Sequence, residues 1–265
     1  MYKLFNFPSV NIITIPESQN RLDKLKNEFY SYGVYNLNIN LFEKYKKDDY
    51  IITGECVKNV ADFHIGVLTS HLQSIKRWFD ETNEEYAIFC EDDLSLETVQ
   101  YWKFDWCTFM SSLPQNWGCI QLVLVKESGL FEYEKNFQPR NWDHWSTCCF
   151  MLKRSYVKKL LNLYYKNKIF TLDYRGIDEY KRKITNEVTW FNPTCENILY
   201  SLIEPVYSVP LFVENINQQS TINLFLNEYI NQSKGHVLSN QQVLDWWKNG
   251  GLDLNFVKYY PEVFE

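Results

Sequence analysis

An α/β fold, with a mostly parallel sheet flanked by helices, is the architecture this sequence predicts, and three observations predict it. Strand and helix signals alternate along the chain, the acidic end Cys90-Glu91-Asp92-Asp93 directly follows the apolar run Tyr86-Ala87-Ile88-Phe89, and 265 residues suffice for one large domain. Alternation implies crossovers, and crossovers give parallel strands with helices on both faces. Ligands of such sheets bind beyond the carboxyl ends of the strands.

The elements follow in order. The β-branched run 10–15 stops at Pro16, and residues 21–32 read as a helix with Leu22, Leu25 and Phe29 near 3.6 spacing, ended by Gly33. Residues 34–42 are strand-like, and 45–59 are polar and irregular, a loop. Helical period returns over 65–79, followed by a turn at 80–84, a strand 86–90, a helix near 98–113 and a strand 119–125. Residues 126–142 show no period, which fits a long functional loop or a small antiparallel excursion. An apolar segment 146–152 leads into a helix 155–165 with Ser155 as its cap. Residues 173–187 carry both signs of charge, 196–202 read as a short helix and 206–213 as a strand. The tail after Gln219 is rich in Asn and Gln and holds Trp246 and Trp247. No internal repeat is visible.

Composition narrows the class. A net charge of −6, with no long basic stripe, argues against nucleic acid as a partner, and the Lys-Arg runs at 44–47 and 181–183 read as solvated helix faces. Seven cysteines show no C-x-x-C spacing, so neither a zinc ribbon nor a disulfide framework is expected. The first ten residues are too short and aromatic for a secretory signal, and no apolar stretch approaches the roughly 18 residues of a membrane span. The expectation is a cytoplasmic or otherwise soluble protein in a reducing compartment, whether whole or one domain of a longer parent; its oligomeric state is open.

Three consecutive carboxylates at a strand's end bring hard oxygens to the mouth of a sheet, where a divalent cation can be held. Glu91 and Asp93 bracket one residue, an acid-x-acid spacing suited to gripping a metal that clamps a diphosphate. The plainer alternative is a solvated turn or helix cap.

Several segments together resemble glycosyltransferase family 25, which includes lipooligosaccharide and collagen-hydroxylysine galactosyltransferases. Asn11-Ile12-Ile13-Thr14-Ile15 followed by Arg21 resembles the family's opening, Ile65-Gly66-Val67-Leu68-Thr69-Ser70-His71 its G-x-x-x-S-H helix, and Ile88-Phe89-Cys90-Glu91-Asp92-Asp93-Leu94 its I-x-x-E-D-D strand end. Trp117-Gly118-Cys119-Ile120-Gln121-Leu122 is similar to the next strand. Three motifs in the right order are far more specific than one. Beyond residue 125 the likeness is thinner: Cys148 to Lys153, Thr194 to Leu199, and Pro210-Leu211-Phe212 with Ser220-Thr221-Ile222 resemble later segments. The chain departs from the pattern in carrying Glu196 where Asp is usual and Thr14 where Asn is typical.

The resemblance implies a GT-A type, Rossmann-like fold in a single domain spanning 1–265, with a nucleotide-sugar-binding half at about 1–125 and an acceptor-side half at about 126–265. It implies inverting transfer of a hexose, galactose or glucose, from a UDP-sugar to a glycan or a hydroxylysine-type protein acceptor, with Mn²⁺ or Mg²⁺ as cofactor. Asp93, with Glu91, would hold the metal. Thr14, Ile15, Arg21, Ser70, His71 and Asp92 would lie about the donor. Several have a plainer reading: an exposed first-turn arginine for Arg21, a buried Ser-His pair pinning a helix, a helix cap for Asp92. Inversion requires a base opposite the leaving group, for which Glu196 is the first candidate and Asp143, with His144, the second. His144 and His236 are candidates for a late metal ligand, and Trp142, Trp145, Trp190, Phe191, Trp246 and Trp247 for stacking on an acceptor sugar or for core packing. Two other classes stay open: a metal-dependent phosphohydrolase or nucleotidyltransferase, and a catalytically silent glycan-binding domain.

Overall fold

The computed structural model describes residues 3–42, 50–53, 62–126, 137–140, 144–173, 204–215 and 239–254. Strand β1 (Val10–Thr14) is buried along its whole length, so it needs apolar bulk on both faces and reads as a β-branched run. Pro16–Ser18 form a short 3₁₀ turn leading to α1 (Gln19–Ser31), which turns Leu22, Leu25 and Phe29 onto the sheet. Gly33, at φ +79°, takes the left-handed position that ends the helix. Then come β2 (Leu37–Leu41), β3 (Tyr50–Thr53), the long α2 (Asp62–Glu81) and β4 (Tyr86–Glu91).

After β4 the chain makes a tight turn into β5 (Leu94–Ser95), a 3₁₀ turn Glu97–Tyr101 and the short α3 (Trp106–Ser111). Strand β6 (Cys119–Val123) follows, then β7 (Val125–Lys126), β8 (Gln138–Pro139), β9 (His144–Trp145), β10 (Cys149–Lys153) and α4 (Arg154–Tyr164). The remainder supplies β11 (Tyr165–Lys166), β12 (Ile169–Asp173), β13 (Val206–Glu214) and α5 (Asn240–Lys248).

The main sheet has the order β2-β1-β4-β10-β6-β13-β5, with β8 also on β13. Strand β1 is parallel to β2 and β4, β10 is antiparallel to β4 and β6, and β13 is parallel to β6. Strands β1, β2, β4, β6 and β13 therefore run one way. Their carboxyl ends, at Thr14, Leu41, Glu91, Val123 and Glu214, share one edge of the sheet, and the segment entering β10 arrives at that same edge. A mixed but mostly parallel sheet flanked by helices is the predicted α/β class.

Alternation along the strands builds two cores, because neighbouring strand residues face opposite ways. Ile12, Ile88, Ile120 and Met151 pack with Leu22, Leu25 and Phe29 of α1, Trp106 and Phe109 of α3, and Val243 and Trp247 of α5. Ala87, Phe89, Cys119, Phe150 and Leu152 pack with Leu68, Leu72, Ile75 and Trp78 of α2 and with Tyr156, Val157, Leu160 and Leu161 of α4.

Several local expectations are corrected. Strand β3, parallel to β12, lies inside the segment read as loop. The helix expected near 98–113 is split: Trp102 is extended at ψ 137° and buried, and the Asp105 carboxylate accepts from the Thr108 amide at 2.8 Å, starting a new helix. Helix α4 begins at Arg154 and not behind a Ser155 cap; the Arg154 amide donates to the Glu85 carbonyl at 2.8 Å, so the first helical N–H is met by the residue before β4. The Asn- and Gln-rich tail contains α5, opened by a capping box in which Ser239 and Gln242 bond reciprocally. The antiparallel excursion after β6 is present as β7, β8 and β9.

Candidate functional site

The three acids of β4's end are held by three different sets of partners. Asp92 is 5% exposed; its Oδ2 accepts from Thr14 Oγ1 at 2.5 Å, and Arg21 Nη2 reaches its Oδ1 at 2.9 Å while also donating to Ser18 Oγ at 2.5 Å. Thr14 ends β1 and Arg21 stands in the first turn of α1, so the β1–α1 crossover aims both at this carboxylate. Burial raises Asp92's pKa, and the adjacent Glu91 adds to the rise against Thr14 and Arg21.

Glu91 turns to the α2 face. His71 Nε2 donates to its Oε1 at 3.1 Å and Thr147 Oγ1 to the same oxygen at 3.1 Å. His71 is fully buried and stacks on Phe150, with ring centroids 5.6 Å apart. Burial pushes Glu91 upward, but the His71 bond, the imidazole, Thr147 and Arg21 together leave it below the usual carboxylate value.

Asp93 is the acid most crowded by like charge. It is 8% exposed, Cys148 Sγ donates to its Oδ1 at 3.4 Å, and the Asn215 amide donates to its carbonyl at 2.7 Å. Burial and the charges of Glu91 and Asp92 push its pKa up to about 7, over the opposing pull of Arg21 and Cys148. Ionised together, the three acids would carry more negative charge than Arg21 cancels. A divalent cation would cancel it, and hard carboxylate oxygens suit Mn²⁺ or Mg²⁺. Among the described residues no three His, Cys, Asp or Glu side chains are grouped to hold a metal ion. The fit is therefore to an ion bound through one or two carboxylates and completed by phosphate and water, as magnesium sites commonly are.

The sequence-predicted residues separate clearly. Thr14, Arg21, His71, Glu91, Asp92 and Asp93 converge at the sheet edge, with Arg21 and His71 bonded to carboxylates. The helix-cap alternative for Asp92 fails, since it sits in the tight turn between β4 and β5. Ile15 is 45% exposed and its carbonyl accepts the Ser18 amide at 3.0 Å. Ser70 Oγ donates to the Gly66 carbonyl at 2.8 Å, within its own helix. His144 is buried, and its Nδ1 meets Ser208 Oγ at 3.0 Å. Trp247 is core, its indole donating to the Pro210 carbonyl at 2.7 Å, while Trp145 and Trp246 are partly buried. Glu196, Asp143, His236, Trp142, Trp190 and Phe191 lie outside the described residues.

Ser18, Ser146, Thr147, Cys148, Glu214 and Asn215 join the site without having been singled out. Glu214 had a readable signal: an acid ending the apolar run 206–213 repeats the pattern of Glu91 after 86–90. The others are small polar residues in turns, which no periodicity marks.

No protein-family model matches the chain, and no curated protein matches it. Among solved structures it is similar to A197 from STIV (TM-score 0.39, 8% identity, covering 77% of this chain and 83% of that one). It is also similar to the inositol-1-phosphate CTP transferase from T. maritima (0.35, 12%, 85% and 76%). A third is a glycosyltransferase involved in glycosylation of the major capsid of PBCV-1 (0.35, 12%, 85% and 100%). These likenesses are distant, and the functional reading is built on the side chains. Among the described residues no helix is long and apolar enough to cross a membrane.

Proposed function

We propose that this chain is a divalent-cation-dependent glycosyltransferase that moves a hexose, galactose or glucose, from a UDP-sugar to a hydroxyl of a glycan or hydroxylated protein, with inversion at the anomeric carbon. The observation that carries the reading is the meeting of Glu91, Asp92 and Asp93 with Arg21 and His71 at the carboxyl-end edge of a mostly parallel sheet, where such folds bind their ligands. Asp93 and Glu91 would hold the Mn²⁺ or Mg²⁺. When bound, that ion supplies Lewis-acid stabilisation of the departing diphosphate.

The chain's own residues have separable tasks. Thr14 and Arg21 hold Asp92 from two directions at once, which fixes its orientation. His71 and Thr147 hold Glu91 ionised, so it enters the site as a charge and not as an acid. Arg21 is 36% exposed at its side chain and can also face the donor's diphosphate. Glu196 and Asp143 remain the proposed bases that accept the acceptor hydroxyl's proton.

The test is a screen of UDP- and GDP-sugars, with nucleoside triphosphates alongside, for Mn²⁺-dependent hydrolysis or transfer. The expected result is turnover of a UDP-hexose that Asp93→Ala abolishes while the circular dichroism spectrum is unchanged, and a product of anomeric configuration opposite to the donor's. Unchanged turnover in Asp93→Ala would sink the metal assignment, retention would sink the inverting mechanism, and turnover of triphosphates alone would move the chain to another class.

A further inference from the structure

We propose that Glu214 is a positioning residue for Asp93, acting through Ser146 and the Cys148 thiol; the inference rests on the cation-site reading of Asp93. Glu214 ends β13 directly opposite Leu94, the residue after Asp93, and is 4% exposed. A carboxylate buried to that degree requires hydrogen bonds, and Ser146 Oγ donates to its Oε1 at 2.7 Å. The same Ser146 oxygen accepts from the Cys148 amide at 3.1 Å, and Cys148 Sγ donates to Asp93 Oδ1 at 3.4 Å. The neighbour of Glu214 completes the grip, since the Asn215 amide holds the Asp93 carbonyl. Side chain and main chain of Asp93 are thus both set from the end of β13.

The conformation of Ser146 singles this chain of contacts out. Its φ is +89°, in the left-handed region that favours glycine, and it is 1% exposed. Glycine would serve the turn better, but it has no hydroxyl to join Glu214 to the Cys148 amide. Strain of this kind persists where the surroundings over-determine it, and it gathers at functional sites. Here the surroundings are explicit. Gln121 Nε2 donates to the carbonyls of Trp145 and Ser146 at 2.7 and 2.8 Å, and Ser208 Oγ donates to Gln121 Oε1 at 2.7 Å. Ser208 has thereby used its proton, so His144 Nδ1 is the donor in the bond between them. This buried string, which includes His144, clamps the turn that carries Ser146.

The experiment uses the full chain and two readouts: the dissociation constant for UDP with Mn²⁺ by calorimetry, and the rate at which iodoacetamide labels Cys148, followed by peptide mass spectrometry. Ser146→Gly and Glu214→Ala are each expected to weaken UDP–Mn²⁺ binding by roughly tenfold or more, as loss of a partner behind a metal ligand does. Both should speed Cys148 labelling. Glu214→Gln keeps an oxygen that can accept from Ser146 and should stay within about threefold of the parent, and the Ser146→Gly/Glu214→Ala double variant should be no worse than the poorer single, because both cut one chain. Equal losses in Gln and Ala, additive losses, or unchanged affinity in folded Ser146→Gly overturn the proposal. If Glu214→Ala does not fold, Ser146→Gly still decides. A parent protein that binds no UDP with Mn²⁺ refutes the cation-site reading, and unchanged Cys148 labelling in Ser146→Gly refutes the link from Glu214 separately.

Discussion

Asp93 is the residue whose chemistry depends most on what surrounds it. Its pKa is raised to about 7 from an ordinary 3.8, so the folded protein holds this proton more tightly than the unfolded chain does. The stability that the proton confers is present below the ordinary carboxylate range and is lost as pH rises through about 7. A cation must displace that same proton. Affinity for a UDP-hexose with Mn²⁺ is therefore expected to rise about tenfold per pH unit below about 7 and to level off above it, measured by calorimetry from about pH 5.5 to 8.5. A UDP-hexose is the right probe because its diphosphate is esterified at both ends and does not titrate there. Asp93→Asn should bind weakly with no such slope; a flat profile for the parent protein would contradict the assignment. The sequence made Glu91, Asp92 and Asp93 legible because a run of acids after an apolar strand is a local pattern. It could not tell that Glu91 is held ionised by His71, 20 residues away, or that burial in the folded sheet, more than its neighbours Glu91 and Asp92, raises the pKa of Asp93.

At the scale of elements, the edge where the site sits depends on how closely the strands and helices meet. Gly118, just before β6, shows how little room is left. A Cβ there would lie 2.5 Å from Tyr156 Cδ2 and 2.6 Å from Glu204 Cβ, and Tyr156 is a buried residue of α4. The Gly118 amide donates to the Pro205 carbonyl at 2.8 Å and its carbonyl accepts the Lys153 amide at 2.9 Å, so the backbone is tied on both sides and cannot withdraw. Gly118→Ala should destabilise by about 1–3 kcal/mol through overpacking, lowering the melting temperature by roughly 2–4 °C per kcal/mol; an unchanged melting temperature would mean that α4 gives way freely. Strands β1, β4, β6 and β13 were legible as apolar runs buried on both faces, and helices α1 and α2 by the helical period of one apolar face. The helix at 98–113 was not. Trp102 and Phe104 are apolar at helical spacing with their neighbours, yet their rings stack with centroids 5.3 Å apart, and the chain leaves the helix at an extended Trp102 and bends through 103 and 104 before Asp105 restarts it. Strand β3 escaped notice because it pairs with β12, more than a hundred residues later.

Across the whole molecule, the two halves read from the sequence are interleaved. Strand β10 comes from after residue 125 yet lies between β4 and β6, both from before it, and β13 closes the other side of β6. Strand order of this kind is invisible to periodicity, because the pattern of a strand records how it is buried and not which neighbour it takes. The consequence is thermodynamic. Asp93 is tied to β4 by the chain, to the start of β10 through Cys148 and to the end of β13 through Asn215, so a ligand bound at Asp93 adds its free energy to contacts that span both halves. Unfolding is expected as one transition that moves as a unit with ligand. A UDP–Mn²⁺ concentration about one hundred times its dissociation constant should stabilise the fold by about 2.7 kcal/mol, a rise in melting temperature of roughly 5–11 °C for a domain of this size. Differential scanning calorimetry with and without the ligand measures this, and Asp93→Asn should remove the shift. Two separate transitions, only one of which responds to UDP with Mn²⁺, would show that the interleaved strands do not make the halves cooperative.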